Sequence, residues 1–318
     1  MVTGKMIEEV AVPGKSPDKL TKNGGNILSA YSMRAQGVML VLISAAVFSS
    51  VGLFVKGVEA DSWTILFWRG LSASAFTLIY ISWRGSLYRE FMLMGKPGIS
   101  AAIIGALATA AFIPSFKYTS IANVSLIYAA VPFASAAIAW LWMREKPSLP
   151  VLLASLAAFA GVLVIVGGSL DSINLRGDLL ALWMTIGMAG FLCIYRRYPQ
   201  TPAAGPAVLS SLLLVPMVFI PMLQPSGNPL AIPLHEIFLT CGFGLVFAVA
   251  SVTMAEGARR LPAAETALIS ALETPLAPLW AFMVFSEFPT SFTLLGGGII
   301  LSAVFASQLY AARCKSRS

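Results

Sequence analysis

Residues 262–290 read PAAETALISALETPLAPLWAFMVFSEFPT. The run is long and apolar enough to cross a bilayer, yet Glu265 and Glu273 lie within it, Pro275 and Pro278 fall in mid-span, and Glu287 and Pro289 close it. Acids inside an apolar span are costly and need a partner or water. A second copy stands 142 positions earlier, at residues 120–148, SIANVSLIYAAVPFASAAIAWLWMREKPS, where Glu145 and Pro147 fall opposite Glu287 and Pro289. Ala122, Leu126, Ile127 and Ala139 recur as Ala264, Leu268, Ile269 and Ala281. A repeat at this spacing divides the chain into halves.

The composition sets the class. Of 318 residues, 58% are hydrophobic and 11% charged, against about 25% charged in an ordinary soluble domain. The chain therefore reads as a membrane protein. Its net charge of +7 sits in short clusters between apolar runs, not on one face of a soluble fold, so the lipid bilayer and not nucleic acid is the expected surface partner. Cys193, Cys241 and Cys314 show no paired spacing, and His235 is the sole histidine. Neither a disulfide framework nor a metal site is implied, and no cofactor is expected. Residues 1–36 are polar, with Gly, Pro and Lys, and read as a disordered cytosolic tail; Met33 is a plausible alternative start.

Apolar windows of about twenty residues predict an all-α membrane protein of ten transmembrane helices, at 37–55, 63–83, 99–116, 121–143 and 151–168, then 179–195, 207–223, 237–255, 263–285 and 292–309. Basic loops stay on the cytosolic side. With the amino terminus inside, the inner segments hold 17 of the 21 basic residues, whereas the outer ones hold Lys56, Lys117 and Arg176, and Arg69 lies within a span. Both termini are then cytosolic. Five spans per half is odd, so the second copy enters from the opposite side: residues 37–170 and 171–311 form two inverted five-helix repeats, followed by a basic tail at 312–318. Inverted repeats place a substrate site near the midplane, between halves that open alternately to either side.

Few polar groups lie at that depth. Arg69 and Glu273 fall near mid-depth in their spans and are expected to interact directly or through water. For Arg69 the alternative is snorkelling to headgroups or capping a helix end; for Glu273 it is a locking hydrogen bond to backbone freed by Pro275. Glu256 and Glu265, beside Arg259 and Arg260, read as interfacial ion-pair partners. Asn123 and Tyr128 are placed to bind a polar part of a ligand or to bond across helices, and Trp68, Trp140, Trp183, Tyr195 and Trp280 to line a cavity for an amphipathic solute. Pro114, Pro132, Pro275 and Pro278 each remove a backbone donor within a span. The Gly296–Gly297–Gly298 run reads as a packing seam, not a site.

The paired ends LWMREKPS and VFSEFPT, each after a proline-containing span (IYAAVPFASA, ALETPLAPLW), resemble the two copies of the EamA domain of the drug/metabolite transporter superfamily. FKYTSIANVSL, GARRLPAAETAL and the WRG of the second span carry the same likeness, which extends over residues 37–309. The resemblance implies a ten-helix carrier of the bacterial inner membrane with a central cavity, most often an exporter of amino acids or related metabolites. Import of small metabolites or vitamins also occurs among such proteins, so direction does not transfer. The family's Glu and Pro positions map to Glu145, Pro147, Glu273, Pro275, Glu287 and Pro289. Val131 stands opposite Glu273, so the mid-depth acid belongs to the second half alone, while Glu145 and Glu287 read as structural.

The leading expectation is a secondary transporter of a small amphipathic metabolite, since the chain carries no glycine-rich phosphate loop with lysine. Glu273 makes protons a candidate coupling ion. An intramembrane enzyme is disfavoured because no pair in the spans suits nucleophilic or metal chemistry, and an accessory subunit would have no need of polar residues in an inverted seam.

Overall fold

A computed structural model describes residues 17–56, 58–60, 62–119, 121–166, 175–217, 219, 233–286, 288 and 290–315. Glu287 and Pro289 lie outside the described residues, as do residues 167–168 and 220–223 of the expected fifth and seventh spans. The described chain is helical throughout: α1 (Pro17–Phe48), α2 (Val51–Lys56), α3 (Ser62–Trp83), α4 (Leu87–Met92), α5 (Gly95–Tyr118), α6 (Ile121–Tyr128), α7 (Val131–Met143), α8 (Leu149–Val166), α9 (Leu175–Arg197), α10 (Ala204–Met217), α11 (Leu234–Ala258), α12 (Ala263–Ser270), α13 (Glu273–Phe285) and α14 (Ser291–Lys315). Eight helical stretches are long and apolar enough to cross a membrane, with α6–α7 and α12–α13 each forming one stretch; Met33–Phe48 and Ala204–Met217 are shorter apolar helices. Because α1 starts at Pro17, residues 17–36 are helical where the sequence predicted a disordered tail. Proline is compatible with a first helical position, and no later proline interrupts the run into the apolar segment.

Prolines act where their position allows. Both α5 and α13 continue through Pro114 and Pro278. The chain breaks instead at Ala129–Ala130, between α6 and α7, and at Ala271–Leu272, between α12 and α13. Pro132 is the second residue of α7, and Pro275 the third of α13. The first turn of a helix has no intrahelical acceptor for its N–H groups, so proline at either position starts a helix without losing a bond. Every bound of α12 and α13 consequently lies 142 positions after the matching bound of α6 and α7, although the two prolines are one position out of step. The ends match as well: Arg144 (φ 56°) and Ser286 (φ 55°) both close their helices in the left-handed conformation. The starts of α3 and α10, and of α8 and α14, keep the same offset.

The core lies where the broken helices meet. Helix α7 packs on α12 and on α9, and Val131, Ala136 and Ala139 join Ala263, Ala264, Ala267, Leu268 and Ile269 in one buried cluster. All eight residues of α12 are buried. Small side chains let these helices approach closely, which replaces the hydrophobic drive that lipid cannot supply. The last span packs on α8 through glycine: a Cβ on Gly296 would stand 2.3 Å from the Gly161 carbonyl oxygen, and one on Gly161 2.7 Å from that of Gly296. Gly297 faces Pro275 and Gly298 faces open space, so the seam uses one glycine of the three. Leu153, Leu156 and Leu163 of α8 and Leu294, Leu301 and Phe305 of α14 are exposed, an apolar outer surface suited to lipid.

Candidate functional site

Two short turns interrupt apolar helices at Ala129–Ala130 and Ala271–Leu272, where the N–H groups of all four residues bond back to preceding carbonyls; such interruptions are tolerated where protein or a water-lined cavity covers them. Tyr128 is the last residue before the first break and Glu273 the first residue after the second. Tyr128 packs against the buried cluster that α7 and α12 share. At the start of α13, Glu273 meets the positive end of the helix dipole; the N-cap, Leu272, supplies no side-chain acceptor. Val131 holds the equivalent place on α7 and is buried in the core. One half thus carries an acidic residue at its break and the other an apolar one.

A direct meeting of Arg69 with Glu273 is not found among the described residues. No ion pair or hydrogen bond joins them among the described residues. Arg69 is 2% exposed, and its guanidinium carbon lies 4.0 Å from the Phe247 ring centre and 5.4 Å from that of Phe243. Helix α3 packs on α11, which turns Arg69 to an aromatic face that depth along the sequence does not reveal. The close approach depends on Gly244, where a Cβ would stand 1.9 Å from Ser72 Oγ.

The other expected residues divide by location. Asn123 donates to Thr119 Oγ1 (3.1 Å), which donates to Asp178 (2.9 Å). It thereby ties the start of α6 to the end of α5 and the start of α9, the cross-helix alternative of its two expected roles. Trp280 donates to Ser49 Oγ at 2.9 Å and joins α13 to the end of α1. Trp68 is half-buried, edge-on to Phe67. Trp183 (56% exposed) and Trp140 (54%) face outward, so they do not line an interior cavity. Tyr195 is buried against Phe191 and its hydroxyl donates to the Pro202 carbonyl.

The acids near helix ends have defined partners. Glu145 receives both Nε and Nη2 of Arg196 at 3.0 Å, a two-point clamp between α7 and α9 that agrees with a structural role. Glu256 pairs with Arg259 and Arg260, each at 2.6 Å, as expected. Glu265, expected beside those same arginines, instead pairs with Arg34 and accepts from Gln308 Nε2 at 3.0 Å. Sequence reasoning missed this junction of α1, α12 and α14 because Arg34 had been assigned to a tail. An open groove between α1 and α14 runs past Arg34 and Gln308. The aromatic bed of Arg69 was missed as well; the only local signal was a run of large apolar residues in α11.

Residues 35–167 match the model of the EamA-like transporter family. This segment, which holds the first broken helix, is similar to the EamA-like transporter family. A comparison with curated protein sequences returns no match. Among solved structures, 29 chains match. One crystal structure superposes with a TM-score of 0.74 at 16% identity, covering 88% of this chain and 99% of its own, a likeness of fold.

Proposed function

We propose that the chain is a secondary carrier of ten spans in two inverted five-helix repeats, at 37–170 and 171–311. It moves a small amphipathic metabolite, such as an amino acid or related compound, across the bacterial inner membrane by alternating access. Export is the favoured direction, and both termini face the cytosol. The observation that carries this reading is the pair of mid-span breaks, α6/α7 and α12/α13, held at one offset of 142 residues and packed together through α7 and α12. Repeated, discontinuous helices that meet in the core are the arrangement in which a carrier exposes one site to either side in turn. The two short apolar helices, added to the eight long stretches, support the count of ten; the basic clusters support the orientation.

Glu273, an acid without a counterpart in the first half, is the proposed proton-handling and substrate-facing group, with Tyr128 at the other break as its proposed companion. Efflux screens with deletion and overexpression strains against amino acids and related metabolites identify the cargo. Reconstituted vesicles then test the site. Glu273→Gln is expected to cut flux at least about tenfold and to abolish its dependence on an imposed pH gradient. Undiminished, gradient-sensitive flux in that variant would refute the assignment.

A further inference from the structure

Buried guanidinium groups normally satisfy their N–H donors, because an unpaired buried donor is expensive. Arg69 departs from this. Its Nε and Nη2 atoms are fully enclosed and have no hydrogen-bond partner among the described residues. The face of the guanidinium is engaged by Phe247 and Phe243, which leaves the edge. Other polar groups nearby are committed elsewhere: Ser72 Oγ donates to the Trp68 carbonyl at 2.7 Å, and Thr240 Oγ1 to the Glu236 carbonyl at 2.8 Å. Glu236, the acid of the facing helix, accepts the backbone N–H of Ala60 at 3.2 Å.

Among the described residues, Arg196 uses the same edge with a partner present. Arg196 presents Nε and Nη2 to the two oxygens of Glu145, both at 3.0 Å. That is the two-point match between a planar guanidinium fork and a planar carboxylate. We infer that the Nε/Nη2 edge of Arg69 is a docking point for the carboxylate of the transported molecule, oriented by the Phe243 and Phe247 rings. The inference rests on the carrier reading and names its substrate class: small monocarboxylates, zwitterionic amino acids included. One guanidinium suits one negative charge; a phosphate dianion would call for further cations, and no ion pair of Arg69 occurs among the described residues. Helices α3 and α11 fall in different proposed halves, so rocking the halves apart is what would open this edge to a ligand.

The test uses the full chain purified in detergent. Its thermal unfolding midpoint is followed while it is titrated with the proteinogenic amino acids, benzoate and lactate, and with the amide of each. At least one acid is expected to raise the midpoint, and its amide to need about tenfold more for the same shift. Arg69→Lys keeps the charge but lacks the fork; it is expected to keep the unliganded midpoint and to need about tenfold more acid. Acids that act no better than their amides, or an Arg69→Lys response equal to wild type, overturn the inference. Counterflow of the same compounds in vesicles separates the two readings. Exchange without acid selectivity overturns the carboxylate assignment and leaves the carrier standing, whereas neither binding nor exchange by any compound overturns both. If Arg69→Lys fails to fold, the acid–amide contrast in the wild type decides alone.

Discussion

Trp183 and Trp280 show how little a residue type says about role inside a membrane. Both are large, amphipathic and placed within apolar helices. Trp280 gives its indole N–H to Ser49, while Trp183 lies 56% exposed on the outer face of α9. Indole donors normally find a partner when buried and otherwise serve as lipid-facing surface. Trp183→Leu is accordingly expected to leave flux unchanged and stability within about 0.5 kcal/mol, measured by vesicle transport and thermal unfolding. Glu273 stands at the other extreme. It is the first residue after a break, and Val131 in the equivalent place of the other half is apolar and buried.

At the scale of elements, the two broken helices are the same device built twice. Each begins its second part within two residues of a proline and ends in a left-handed residue followed by a glutamate. Ser286 adopts φ 55°, a conformation that crowds a Cβ and that glycine takes freely. Ser286→Gly is therefore expected to raise stability by about 0.5–1 kcal/mol, read as a higher unfolding midpoint. The α8–α14 seam predicts the opposite. Gly296→Ala would place a Cβ 2.3 Å from a backbone oxygen of the facing helix and is expected to cost about 1–3 kcal/mol. Gly298→Ala, with nothing within 4 Å, is the control and should be neutral or slightly stabilising.

Across the whole molecule, polar junctions at helix ends hold distant parts of the chain together. Glu265 is nearly buried and draws Arg34 from 231 positions away. Removing one member of such a pair strands a buried charge, whereas removing both does not. Arg34→Met is expected to destabilise by about 2–3 kcal/mol, and Arg34→Met with Glu265→Met to recover most of the loss, as a double-mutant cycle of unfolding midpoints would report.

Membrane class, the eight long apolar stretches, the repeat of 142 residues and the mid-span prolines were legible in the sequence, because hydropathy and proline chemistry act locally. The same reasoning recognised Glu273 as singular and Glu145 as structural. Which polar groups meet was decided by the tertiary structure. Arg69 and Glu273, placed at similar depth by the sequence, share no ion pair or hydrogen bond among the described residues, since the packing of α3 on α11 turns the guanidinium to Phe247. Glu265 finds Arg34 instead of the arginines beside it in sequence, because α1 crosses α12. Depth can be read along one helix; azimuth exists only once helices are packed against each other.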